Sequence, residues 1–469
     1  MPLIKSISGI RGTIGDKPGE NLTPDAIRKF TAAFGHHQQL QLKDKNRNCK
    51  IVIGRDGRAS GEMVRNIVVE TLTGLGIDVT DLGLSTTPTV EIAVKMEDAD
   101  GGIILTASHN TAEWNALKLL DSEGEFISAE TGNRVLEMAE KEMPEINKSN
   151  KTGKVILDNS YLQKHIDAVL NYSLVNADKI STRNFKVVVD AINSTGAIFV
   201  PALLNAIGVQ NVIVINGEVN GKFEHNPEPL PENLTQLSNE VVKQKADFGI
   251  AVDPDVDRLC FVCEDGSMFG EEYTLVAVAD YVLSKRTGNT VSNLSSTKAL
   301  KEITQKHGGQ YFPSAVGEVN VVKKMKEVKA VIGGEGNGGI IVPDFHYGRD
   351  ALIGIGLFLS HLAGHKKGIK SLRGLYPEYF ISKNKIELPS GRGGENGTGI
   401  KKIFKKISEK YKQHPINTED GLKIEFENDW VHLRTSNTEP IIRIYAESDL
   451  EAKANNMAMQ LMRDIKEFG

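Results

Sequence analysis

The sequence predicts several related α/β domains followed by a separate α+β domain, and three observations lead there. At 469 residues the chain is too long for one hydrophobic core of ordinary size, and typical domain lengths divide it into about three or four parts. Short β-branched runs alternate with helical periodicity from the first third onward. A weak internal repeat also recurs: Ala99-Asp-Gly-Gly-Ile-Ile, Ala246-Asp-Phe-Gly-Ile-Ala and Ala330-Val-Ile-Gly-Gly each lead an apolar strand into a polar loop.

The elements follow in order. Thr23 can cap a helix whose first turn takes Pro24 and whose inner face carries Ile27, Phe30 and Phe34. KIVIGRD, GEMVRNIVVETLTGLG, IDVTDLG and GGIILTASHN then read strand, helix, strand, strand, the pattern of a βαβ unit. A polar stretch from Met143 to Lys154 interrupts before a second unit with strands in FKVVVDA and NVIVING. From about Gly374 the pattern changes to short strands and charged helical stretches such as KKIFKKISEKY, ending in the amphipathic EAKANNMAMQLMRDIKEF.

Composition narrows the classes. Hydrophobic residues make up 40% and charged residues 25%, which excludes a disordered or fibrous chain. The net charge of -5 offers no global basic field for nucleic acid, so an anionic substrate has to be captured by local Arg and Lys clusters. The N-terminal MPLIKSISGIRG lacks an apolar signal core, and no apolar run approaches the roughly 20 residues of a membrane span. A cytoplasmic protein with no membrane partner is expected. Cys49, Cys260 and Cys263 make no disulfide framework. The last two have CxxC spacing but lie in LCFVC, which reads as a strand, where residues three apart face opposite sides.

Four loops carry chemistry. In GGIILTASHNTAEWNALKLL, Ser108 follows a buried strand at the end where open α/β sheets bind ligands. His109, Asn110 and Lys118 lie close behind this hydroxyl, a possible nucleophile, though a plain Ser/Asn turn has the same composition. In GIAVDPDVDRL, Asp253, Asp255 and Asp257 alternate directly after an apolar strand. Three carboxylates so close repel one another unless a cation neutralises them, and oxygen-only ligands select a hard ion such as Mg²⁺. An EF-hand is excluded, because Arg258 occupies its obligatory turn glycine and strands flank the loop. IGGEGNGG sets Glu335 and Asn337 among five glycines, a backbone that lets two polar side chains approach a ligand such as a sugar. RTSNTEPIIR gathers Arg434, Thr435, Ser436, Asn437, Thr438 and Arg443, a donor set that holds phosphate without a metal and equally fits a charged hairpin end.

Together these loops resemble the α-D-phosphohexomutase superfamily, with its TASHNP, DGDxDR, GExSG and RxSGTEP motifs, in the same order and across the whole chain. SISGIRG, GRDGRASG, TTPTV near Thr87 and HNPEPLPENL near Pro227 are similar to further family segments. The resemblance implies three similar α/β domains with mixed sheets and a smaller α+β domain around one central cleft. The expected domains are 1–148 with the phosphoserine loop, 149–254 ending in the metal loop, 255–372 with the sugar loop and 373–469 with the phosphate loop. It further implies that Ser108 carries a phosphoryl group, that Ser108, Asp253, Asp255 and Asp257 bind Mg²⁺, and that Lys118 is the general acid/base beside Arg11 and His109. Arg258 would lie near the transferring phosphoryl. Glu335 and Asn337 would read sugar hydroxyls, and Arg434, Ser436, Asn437, Thr438 and Arg443 would grip the unreacting phosphate. The implied reaction interconverts hexose 6-phosphate and hexose 1-phosphate through a hexose 1,6-bisphosphate, in a monomer or homodimer.

The chain departs from the motifs at Thr111, where the family usually has Pro, at Pro254 and Val256 in place of glycines, and at Asn437. Asn337 takes the usual Ser position and Gly339 replaces a frequent His. VGEVNV, Val316 to Val321, is closer to the VGD segment of phosphoglucosamine mutases, which makes glucosamine phosphate the expected substrate and Glu318 a candidate partner for its ammonium. The alternatives are a mutase of glucose or mannose phosphate, an aspartyl-phosphate phosphatase using Asp253 in Asp253-Pro-Asp255-Val, which resembles the haloacid-dehalogenase class, and an inactive sugar-phosphate-binding protein.

Overall fold

In a computed structural model the protein is described over residues 3–6, 9–42, 44, 46–141, 152–387, 398–435 and 441–468. Most of the polar stretch from Met143 to Lys154 and the middle of RTSNTEPIIR, including Ser436, Asn437 and Thr438, lie outside the described residues.

Among those residues the chain forms four sheets. The first orders seven strands as Ile4–Ser6, Gly9–Thr13, Trp114–Leu120, Gly101–Leu105, Lys50–Arg55, Asp78–Leu84 and Val155–Leu157. Its last four are parallel and the rest antiparallel. The second places Leu259–Cys263 antiparallel beside the parallel trio Phe248–Val252, Lys186–Asp190 and Asn211–Ile215. The third joins parallel Tyr311–Ser314, Asn289–Asn293 and Ala330–Glu335 to antiparallel Gly339–Val342 and His346–Arg349. The fourth is antiparallel, from Phe380–Glu387 through Ile441–Ser448, Trp430–Thr435 and Leu422–Glu425 to Ile416–Asn417.

The internal repeat has a structural meaning. Each of its three strands, Gly101–Leu105, Phe248–Val252 and Ala330–Glu335, is a parallel strand whose chain then turns back antiparallel on itself. The Ser108, triple-Asp and Glu335 loops are therefore the same turn in three sheets, at the strand ends where α/β folds bind ligands.

Local signals act as expected at the first helix, Pro24–Gln41: the Thr23 side chain accepts from the Ala26 amide, and Ile27, Phe30 and Phe34 are buried. Cys260 and Cys263 are free and buried in strand Leu259–Cys263, and burial pushes the Cys263 thiol up to about 11, so neither is a reactive pair.

Two expected boundaries fall inside sheets. Val155–Leu157 pairs with Asp78–Leu84, so the first sheet continues past 148. Leu259–Cys263 pairs with Phe248–Val252, so the second sheet continues past 254. The second and third sheets also share one apolar core. Helix Ala351–Gly364 is apolar all round and buried along almost its whole length between them. Its Phe358 ring stacks on Phe261 of the second sheet with centroids 3.8 Å apart. The fourth sheet has its own core and docks on the third through polar contacts. Lys423 Nζ donates to the Leu294 carbonyl at 2.8 Å, and the Val316 amide donates to Asp420 at 3.0 Å. No described helix is long and apolar enough to cross a membrane.

Candidate active site

The three turns face one cleft of about 880 Å³, lined by residues of all four sheets and their loops: Arg11 and His109, then Glu228 and Arg258, then Glu335, Asn337 and Arg349, then Lys383, Arg434 and Arg443.

Ser108 directly precedes His109 and Asn110 of the cleft lining, 3% exposed and with φ of +49°. That left-handed backbone is unfavourable for a residue with a Cβ and persists only where the surroundings impose it. Arg58 imposes it. Its guanidinium, buried with the rest of the side chain, donates to the carbonyls of Ser108, Asn110, Thr111 and Trp114, while Asp56 holds its Nε at 3.0 Å. The Thr106 hydroxyl accepts from the Ser108 amide at 2.9 Å. Ser108 Oγ is thereby aimed at the metal loop, donating to Asp253 Oδ2 at 2.7 Å.

Asp253, Asp255 and Asp257 are all fully buried, with one oxygen of each within 4.8 Å of the others. Burial and then the neighbouring carboxylates raise the Asp253 pKa well above the ordinary range. Burial also disfavours the Asp255 anion, but Lys118 at 2.6 Å and the Thr87 hydroxyl at 2.6 Å outweigh it and hold this acid below its usual value. Asp255 Oδ1 and Asp257 Oδ1 have no hydrogen-bond partner. Two orphaned, buried anionic oxygens beside a third carboxylate and a serine hydroxyl fit a divalent cation. Val256 keeps a φ of +59° in this turn, so the loop retains its left-handed step without the usual glycine.

Lys118 lies in strand Trp114–Leu120 and touches two of the carboxylates, Asp257 at 3.5 Å in addition to Asp255. Burial opposes its charge, yet the two aspartates keep its pKa raised, so Nζ is an ammonium. His109 Nδ1 accepts from Arg258 at 2.8 Å. Because an arginine only donates, the neutral ring carries its hydrogen on Nε2. Burial and then Arg258 and Arg11 hold its pKa well below the ordinary value. Arg258 Nε, buried and without a hydrogen-bond partner, lies 3.9 Å from Asp253 and 4.0 Å from Asp257. Arg11 donates to Asn110 at 2.8 Å.

Across the cleft, Glu335 accepts from Asn293 at 2.7 Å, from the Gly317 amide at 2.9 Å and from Arg349 at 2.9 Å. Burial opposes ionisation here too, and Arg349 with Asn293 more than offsets it. The glycines of this loop are required by space: a Cβ on Gly336 would stand 1.9 Å from the Glu272 carboxylate. Asn337 lines the cleft beside Glu335. Arg434 and Arg443 are cross-strand neighbours on the fourth sheet and face the same space.

One expectation is corrected. Glu318 is buried and paired with Arg349, accepting from its amide at 2.9 Å and its Nε at 3.1 Å, so its charge is already matched by a guanidinium. Glu318→Gln should therefore alter turnover of glucosamine and glucose phosphates in the same proportion, with the ratio of their kcat/KM values unchanged within about twofold; a selective loss for the amino sugar would restore the discarded role. Reading the motifs also missed Arg349 and the way Thr87 and Arg58 brace the loops.

Matches to all four domain families of phosphoglucomutase/phosphomannomutase cover residues 3–145, 163–266, 270–379 and 388–464. The chain belongs to this family. It is accordingly an enzyme of the isomerase class, a phosphohexomutase that moves phosphate within a sugar phosphate. It is 34% identical over 95% of its length to a phosphoglucomutase/phosphomannomutase of Thermococcus kodakarensis, covering 94% of that protein. It is 32% identical to a phosphoglucosamine/phosphogalactosamine mutase of Sulfurisphaera tokodaii, with 98% of each chain covered. A family member of known crystal structure from Burkholderia thailandensis superposes with a TM-score of 0.83 at 25% identity, over 99% of this chain and 97% of that one. In this phosphohexomutase the Ser108 and triple-Asp loops come from the first and second family domains, and meet only because both sheets end at the cleft.

Proposed function

We propose that the protein interconverts glucosamine 6-phosphate and glucosamine 1-phosphate through phosphoserine at Ser108 and a bound glucosamine 1,6-bisphosphate. The observation that carries the phosphoserine reading is the aim of Ser108 Oγ at Asp253, with Arg258 beside Asp253, Lys118 paired to Asp255 and both cations beside Asp257.

Mg²⁺ would be held by Asp253, Asp255, Asp257 and an oxygen on Ser108, where it neutralises charge on the transferring phosphoryl group. A substrate hydroxyl attacks phosphorus, and the bond to Ser108 Oγ breaks. Lys118 Nζ, kept charged by Asp255 and Asp257, gives that leaving oxygen a proton and takes up the one the substrate hydroxyl loses, so its own charge is unchanged over the transfer. Arg258 offers its unpartnered Nε, and His109 its Nε2 hydrogen, to phosphoryl oxygens, since neutral His109 is a hydrogen-bond donor rather than an acid. The bisphosphate then turns end for end, so Ser108 Oγ takes back the phosphoryl from the other carbon. Glu335 and Asn337 hold sugar hydroxyls in both orientations. Arg434 and Arg443, with Ser436, Asn437 and Thr438, hold whichever phosphate is not reacting, and the place of the two arginines on a separate sheet with its own core suits a part that re-closes over either end.

The VGEVNV segment and the likeness to the Sulfurisphaera mutase support the amino sugar. The Thermococcus relative favours glucose or mannose phosphate as the second reading. Phosphorus NMR of glucosamine, glucose and mannose 6-phosphates, each with Mg²⁺ and a trace of its bisphosphate, decides. Fastest 1-phosphate formation from glucosamine 6-phosphate is expected. Faster glucose or mannose turnover selects the second reading, and release of free phosphate alone would sink both.

A further inference from the structure

We propose that Arg349 is a positioning residue that couples occupancy of the sugar loop to the metal loop through one guanidinium; the role rests on the mutase reading above. Its three nitrogens are divided among three carboxylates. Nε meets Glu318 at 3.1 Å, one terminal nitrogen meets Glu335 at 2.9 Å, and the other meets Asp257 at 2.7 Å. The side chain is only 10% exposed, so these charges act on one another with little screening by water. One positive charge is shared by three negative ones, and what one acid releases the others gain.

The guanidinium has little freedom to leave. Its own amide is tied to Glu318, and the next residue, Asp350, caps the buried helix Ala351–Gly364 through the Leu352 amide at 2.7 Å and binds His165 at 2.9 Å. With the backbone fixed, competition plays out among the acids. Hydroxyl donation to Glu335 weakens its pull on Arg349 and shifts the guanidinium towards Asp257, which becomes a poorer donor to a cation. Glu335 is linked in the other direction as well: it accepts from the Gly317 amide, and the adjacent Val316 amide donates to Asp420, whose carboxylate lies 3.2 Å from Arg434 of the phosphate loop. Arg349 is thus the step by which that chain of contacts reaches the metal loop. Lysine cannot take its place, because a point charge cannot serve three acids in a fixed fork.

Mn²⁺ alone, titrated into the full chain and followed by the EPR signal of the free ion, tests this without any turnover. Glu335→Gln should weaken Mn²⁺ binding by about fivefold or more in the natural chain, since Arg349 then turns to Asp257, and by less than about twofold in an Arg349→Lys background. An equal effect in both backgrounds, or none in either, overturns the coupling. Should Arg349→Lys not fold, Glu318→Gln replaces it: it frees the same guanidinium and is expected to weaken Mn²⁺ about as much as Glu335→Gln, and unchanged affinity refutes the proposal. A chain that turns over none of the three hexose phosphates would sink the functional reading, while the Mn²⁺ cycle would still decide on the coupling.

Discussion

Ser108→Ala is expected to lower mutase turnover by at least about 10⁴-fold while leaving the fold intact, because it removes the atom that carries the phosphoryl group. The structure separates the two effects. Alanine fills the same backbone position, including its left-handed φ, and forfeits one hydrogen bond to Asp253, a loss of about 1 kcal/mol. Melting should move little. Intact mass after incubation with hexose 1,6-bisphosphate supplies the chemical readout: the natural chain should gain one phosphate, and the variant none. A variant that still takes up phosphate and still turns over would move the carrier to another group, with Asp253 next in line as the carboxylate at 2.7 Å, and would revive the aspartyl-phosphate alternative.

What could be read in advance, and what could not, follows from how far apart in the chain the cooperating residues are. Ser108 with its loop and the aspartates at 253, 255 and 257 are each contiguous, so a local motif exposes them. The repeated strand-to-loop pattern was legible for the same reason, and the three sheets bear it out as one recurring turn. Arg349 reaches Asp257 across 92 positions, and nothing in HYGRDA marks it as a hub. Glu318 looked free because its partner is 31 positions away. The boundary after 254 misled because LCFVC is apolar throughout, and an unbroken apolar strand does not say which sheet it joins; the antiparallel return onto Phe248–Val252 decides that. Val256 shows a limit of another kind: the turn keeps a left-handed step that glycine would signal, with a β-branched residue in its place.

Arg58 should give the largest stability loss of any single change near the site that spares the reacting groups. Its side chain is wholly buried, and its five donors meet Asp56 and the carbonyls of four residues, Ser108, Asn110, Thr111 and Trp114. Lysine in its place keeps the charge opposite Asp56 but has three donors at one point. It leaves at least two buried carbonyls unpaired, at about 1–3 kcal/mol each. Arg58→Lys is therefore expected to lose about 3–5 kcal/mol in urea unfolding followed by tryptophan fluorescence, with Trp114 of this loop as a reporter. Arg58→Met should lose more, because Asp56 is then left buried without its cation. Folded Arg58→Lys should also turn over about 10²-fold more slowly, since the carbonyl clamp that holds Ser108 in its left-handed conformation is what aims Oγ at the metal loop. Stability within about 0.5 kcal/mol of the natural chain together with full activity would show that the loop holds its shape unaided, and that Arg58 fills space without directing the nucleophile.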